Sequence, residues 1–144
     1  MSVLGVVFTF HMIGLVLRLG AAFLLPIAIL PAVRSLEASA QNKFMATFTN
    51  RYLPWFVLGG IAVGITGLLQ TTMMLDDLNV PVTIAKHVAI LPLIAVSAYI
   101  WFFLSRKLAK PAADQKYWTQ LMAWSWIQAG LGVIVLILTG WLTG

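Results

Sequence analysis

The chain contains two histidines, and both fall in stretches that are otherwise apolar: His11 in VVFTFHMIGLVLRLG and His87 in TIAKHVAILPLIAVSAYIWFFLS. Neutral imidazole is a ligand for haem iron, copper and zinc. A charge-capable side chain in an apolar helix is costly enough to need a reason. Lys86 stands directly before His87. Arg18 follows His11 by seven positions, which puts it on the same helix face and roughly 10 Å further along. At that depth an arginine needs a cavity, a counter-charge or carbonyl partners. No carboxylate falls in any of the apolar stretches. That leaves a bound anion (a haem propionate, a substrate carboxylate or a lipid phosphate) or snorkelling to the nearer interface. Lys86 is placed to neutralise a propionate at the rim, or serves as an ordinary interfacial lysine.

Two imidazoles projecting from neighbouring helices into a bundle core are the usual way to hold a haem axially. His11 and His87 are the candidate ligands of such a metal. With Cys 0, thiolate metal sites, iron–sulfur clusters and disulfides are excluded. Copper is the alternative occupant, with Met73 and Met74 beside Asp76 and Asp77 as soft ligands. The plain alternatives are that each histidine bonds a backbone carbonyl and holds helices together, and that the methionines are only hydrophobes.

The elements that must position these groups are membrane helices. The 144 residues are 61% hydrophobic and 9% charged, with mean hydropathy +0.97, whereas a soluble domain carries about 25% charged residues. A spanning helix takes about 20 apolar residues. Four stretches qualify, at about 3–31, 52–74, 83–105 and 119–143, in a single domain over 1–144. The expected fold is an all-α integral membrane protein, an up-down bundle of four transmembrane helices. Pro26 should kink the first span. Residues 32–51 either prolong that span or lie as an interfacial helix, 75–82 form an acidic turn, and 106–118 form a basic loop. MSVLGVVFTF has no basic leader and reads as a retained first span.

Lys/Arg excess marks the cytoplasmic side, which places both termini and the acidic turn outside, in a membrane of the bacterial inner (plasma) type. Trp55, Trp101, Trp118 and Tyr117 suit an aromatic belt near the cytoplasmic interface. The net charge of +5 sits mostly in two loops, so it reads as topology and anionic-lipid contact with no nucleic acid partner. Residues 61–69, IAVGITGLL, resemble 134–142, IVLILTGWL. The chain thus divides into two tandem helical hairpins, each opening with a histidine and closing with a Thr-Gly helix. The histidines then lie on parallel helices, mismatched in depth by roughly 6 Å. Gly59, Gly60, Gly64 and Gly67, like Gly130, Gly132 and Gly140, let helices approach closely or let a flat ring lie against backbone. Gln70 and Gln128 receive no role.

The pattern resembles the four-helix core of the copper-resistance protein D (CopD) family and of HemJ-type protoporphyrinogen oxidases. The resemblance rests on His11 followed fifteen residues later by Pro26, on Lys86 opening the third helix with a basic exit at Arg106, and on Leu138, Thr139 and Gly140 closing the fourth. It implies haem b, oxidation of protoporphyrinogen, and functional roles for His11 and Lys86. The chain departs from the pattern in having Arg18 seven residues after His11 in place of tryptophan, and in having His87 after the lysine where the family has Trp-His before it.

The reading that joins these signals is a membrane-embedded b-type haem protein in one-electron redox transfer. His11 and His87 would be axial ligands, Lys86 and Arg18 anion partners, and a quinol or porphyrinogen the substrate. Two alternatives are a membrane transport protein for copper or a small solute, and a cofactor-free subunit of a homo-oligomer or larger membrane complex.

Overall fold

A computed structural model describes residues 2–73, 80–111 and 113–143. All regular elements in it are helical. α1 (Val3–Arg34) starts at Ser2, whose hydroxyl accepts the Gly5 N–H at 3.2 Å. α2 (Ala38–Arg51) is a separate short helix, α3 (Leu53–Met73) follows it, and α4 (Val80–Leu108) and α5 (Gln115–Thr143) complete the chain. Four of these helices are long and apolar enough to cross a membrane, so the protein is an all-α integral membrane protein. The expected spans were a few residues short at the basic ends of α1 and α4 and at the start of α5. Met74 and the acidic pair Asp76 and Asp77 lie outside the described residues.

Two spans widen locally into π-helix. At Leu25–Ile29 the Leu30 N–H bonds the Leu25 carbonyl, five residues back. Pro26 lacks an N–H and so denies the Ala22 carbonyl its helical donor, and the widened turn absorbs the mismatch. A second widened turn, Tyr99–Leu104, ends with the Ser105 N–H on the Ile100 carbonyl. α1 is closed by side chains: Gln41 Nε2 donates to the Leu36 carbonyl at 2.8 Å, and Ser35 Oγ to the Ala32 carbonyl at 2.7 Å. Residues 32–51 therefore prolong α1 to Arg34 and then form the separate helix α2. α2 gives way to α3 at Tyr52: Pro54 fits the first turn of α3 but has no N–H to continue the hydrogen bonds of α2. α5 begins at Asp114, whose carboxylate accepts the Lys116 N–H at 2.9 Å.

Side-chain contacts fix the up-down order. His11 and Arg18 of α1 meet Gly67 and Gly60 of α3, so these helices run antiparallel. Ser97 pairs with Gln128 and Phe103 with Tyr117, so α4 and α5 run antiparallel. Leu19 meets Gly132 and Arg34 meets Gln115, so α1 and α5 do too. α1 and α4 are therefore parallel and diagonal. The closest helix pairs, α1 with α3 and α4 with α5, are two hairpins.

The bundle is packed hard at one end. Leu30, Ile100, Leu104, Leu108 and Leu121 are almost wholly buried there, with Trp101 stacked on Phe56 at 4.9 Å. Arg34, Arg106, Lys107, Lys110 and Lys116 belong to this end. Trp101 and Trp118 are each only 5% exposed. They are core residues, not the belt residues their position near a basic loop suggested: Trp101 packs on Phe48 of α2 and Phe56 of α3, and Trp118 lies under Arg34 at the end of α1. Trp55, 72% exposed, remains on the outer surface. Toward the other end the packing opens. No residue of α3 within Pro54–Met73 is buried, and Leu58, Ile61, Ile65 and Leu68 face outward as a hydrocarbon-facing surface should.

Candidate functional site

Where α3 and α4 part, a cavity of about 730 Å³ opens, with α1 and α5 contributing to its wall. That volume lies within the range of small-molecule and cofactor sites. Its lining is apolar except for His11, Arg18, Lys86, His87, Ser97 and Thr139. All four residues that the sequence singled out thus line one cavity, and no acidic side chain lines it. His11 lies eight positions past Val3 and His87 seven past Val80, near the corresponding ends of two parallel helices.

His11 is 6% exposed. Its Nδ1 lies 3.0 Å from Thr66 Oγ1 on α3. The Thr66 hydroxyl also lies 2.7 Å from the Ala62 carbonyl; with its hydrogen placed there, Thr66 Oγ1 accepts from His11 Nδ1–H. Nε2 is then the lone-pair nitrogen. A Cβ at Gly67 would stand 3.1 Å from His11 Cε1, so the ring rests on bare backbone. His87 reaches the same tautomer differently. Its Nδ1 lies 2.8 Å from the Thr83 carbonyl of its own helix, which can only accept. His87 therefore does make the carbonyl bond that the plain reading expected, and that bond fixes its Nε2 as the unprotonated nitrogen.

Arg18 is held on α3. Nη1 donates to the Phe56 carbonyl at 2.8 Å. A Cβ at Gly60 would stand 3.1 Å from Nη1 and 3.3 Å from Cζ, so the guanidinium too is seated on a glycine. His11 with Gly67 and Arg18 with Gly60 are each seven residues apart on both helices, one antiparallel register used twice. Between them Gly14 brings the backbones together: a Cβ there would run into the Val63 side chain. Among the described residues the ion pair found is Lys116–Asp114, and Arg18 and Lys86 take no carboxylate. Lys86 lies within Coulombic reach of His11.

Comparison of the chain with protein-family models, curated proteins and solved structures finds no match. The site must therefore be read from its own chemistry. Among the described residues no group of three or more His, Cys, Asp or Glu could hold a metal ion, so a compact closed cage is not formed by them. Two lone-pair imidazoles in an apolar cavity, with cations nearby, suit a planar metal chelate that brings its own equatorial ligands and carries acid groups.

Sequence reasoning missed the second half of the site. Thr83, whose carbonyl holds His87 Nδ1, and Gly14, where α1 and α3 come close, carried no signal of their own, and Thr66 was marked only as half of the repeated Thr-Gly pair. Gln128, left without a role, donates through Nε2 to Ser97 Oγ at 2.8 Å, joining α5 to the cavity wall, while its Oε1 is buried without a partner among the described residues.

Proposed function

We propose that the protein is a membrane-embedded b-type haem protein acting in one-electron transfer, in which His11 and His87 would hold the haem. One observation carries the reading: both imidazoles line one cavity, and each has its Nδ1 within hydrogen-bond distance of a threonine oxygen. Ligating histidines have this second-shell arrangement, which fixes the ring and strengthens the free nitrogen as a donor. The diagonal placement of α1 and α4 leaves room between them for a flat ring. Arg18 and Lys86 would neutralise propionates or an anionic substrate. A bound haem would supply the one-electron couple, and the protein ligation, burial and charge. The opening between α3 and α4 suits a donor that arrives through the bilayer, such as a quinol or a porphyrinogen. In the second case the protein would be an oxidoreductase of the HemJ kind.

The basic loops orient the bundle with both termini outside a bacterial inner membrane. Single cysteines placed in 106–111 should react with an impermeant thiol reagent only in inverted vesicles.

The test is an absorption spectrum of the protein purified in mild detergent from cells supplied with haem, before and after dithionite. A Soret band with sharp reduced α and β bands is expected, lost in both His11→Ala and His87→Ala. Loss in His11→Ala alone would favour the HemJ-like arrangement with Lys86. A featureless spectrum sinks the haem reading. Copper bound in its place, with loss on His11→Ala, would favour transport, and co-purifying membrane partners without any metal would favour a structural subunit.

A further inference from the structure

The packed end of the bundle carries a second groove, remote from the two histidines. It lies between the last turns of α1 and the first turns of α5, has a volume of about 410 Å³, and is lined by Leu30, Arg34, Trp118, Thr119, Met122 and Ala123. Its floor and walls are apolar apart from Thr119, and its one charge is Arg34. The guanidinium is fixed at two points. Nη1 donates to Gln115 Oε1 at 3.0 Å, and Cζ lies 5.6 Å from the centroid of the Trp118 ring. A guanidinium has five N–H donors, and Gln115 takes one of them. Among the described residues no carboxylate pairs with Arg34, since the nearby Asp114 is held by Lys116 at 3.5 Å.

The position decides the ligand. The groove lies at the end of the spans where Arg106, Lys107, Lys110 and Lys116 also sit, the level of the lipid headgroups. A guanidinium presents paired N–H donors that match phosphate oxygens, and basic pockets between transmembrane helices recognise anionic headgroups. An apolar trough running inward from such a cation fits an acyl chain. We propose that this groove holds one anionic phospholipid, its phosphate on Arg34 and a chain along Leu30, Met122 and Ala123. The proposal does not depend on the haem reading.

Native mass spectrometry tests it, on protein equilibrated with an equal mixture of phosphatidylglycerol and phosphatidylcholine. The wild type should retain phosphatidylglycerol in preference. Arg34→Gln should weaken that retention about fivefold, the worth of one basic contact at a membrane surface. Ala123 is exposed, so Ala123→Trp fills the trough without disturbing the core. It should abolish retention with Arg34 intact, and it serves as the test should Arg34→Gln fail to fold. Lys110→Gln, outside the groove, should behave as wild type. Unchanged retention in Ala123→Trp overturns the proposal, as does an equal fall in Arg34→Gln and Lys110→Gln, which would mean diffuse attraction to the basic surface.

Discussion

The two hairpins carry the same Thr-Gly pair and use it differently. In α1–α3, Thr66 accepts from His11 and Gly67 seats its ring. In α4–α5, Thr139 spends its hydroxyl on the Val135 carbonyl at 2.8 Å, as Thr66 does on Ala62, but His87 turns to Thr83 on its own helix. At the offset that aligns the two Thr-Gly pairs, His11 corresponds to Ile84, and His87 corresponds to Gly14. In the first hairpin that position admits no side chain at all, because Val63 fills the space. His87 instead lines the cavity. Arg18 and Gly60 correspond in the same way to Leu91 and Val133: without an arginine to seat, the glycine is not needed. One hairpin is locked by polar groups across its seam. The other holds its histidine within a single helix.

Substitutions at matched positions test this contrast. The largest effect should come from Gly60→Leu, which drives the guanidinium of Arg18 from the Phe56 carbonyl and leaves a buried cation short of a partner. Unfolding in detergent should show a loss of roughly 2–4 kcal/mol, against less than about 0.5 kcal/mol for Val133→Leu. Comparable losses at both sites would show that the guanidinium does not occupy the Gly60 seat.

Thr66→Val removes the acceptor of His11 and should cost about 1–2 kcal/mol. Thr139→Val removes only a bond within its own helix and should cost under about 0.5 kcal/mol. An equal response would break the distinction between cross-helix and own-helix bonding. Sharper still is a difference of sign. Gly67→Ala should destabilise by about 0.5–1 kcal/mol, because its Cβ meets His11. Gly140→Ala, with open space at its Cβ, should stabilise by about 0.5 kcal/mol through helix propensity.

The smallest effect lies outside the membrane, where α5 begins. The Lys116 backbone N–H, assisted by its ammonium group, holds the Asp114 carboxyl below the usual carboxylate range. A carboxyl depressed in the folded state stabilises it above the unfolded value of about 4 and loses that contribution as pH falls through the lower folded value. Thermal unfolding of the wild type should therefore weaken below about pH 4, and Asp114→Asn should remove that part of the decline. A decline of unchanged size in Asp114→Asn would assign it to other carboxyls.

Much of the site was legible because its rarest residues were also its site residues. Histidine, arginine and lysine in apolar helices cost too much to be accidental, and all four line the cavity. Pro26 was legible for a similar reason, since a missing N–H must be accommodated wherever it falls, and a π turn accommodates it. The Tyr99–Leu104 turn left no such mark, because nothing in YIWFFL forbids an ordinary helix. Trp101 and Trp118 misled for a tertiary reason: a basic loop nearby suggests an interface, but α2 and α3 cover the first and the end of α1 the second.

By itself the sequence determined the four spans, their breaks, the basic end and the polar groups that must be sheltered from lipid. Each follows from a property a residue carries alone: hydropathy, charge, or the lack of an N–H. Only the tertiary structure decided which glycine faces which side chain, which nitrogen of each imidazole is free, and that α3 and α4 part to leave a cavity. Those depend on the rotation and register of helices against one another. The seam through Gly14, Gly60 and Gly67 sets them for one hairpin, and the buried Gln128–Ser97 hydrogen bond ties the other.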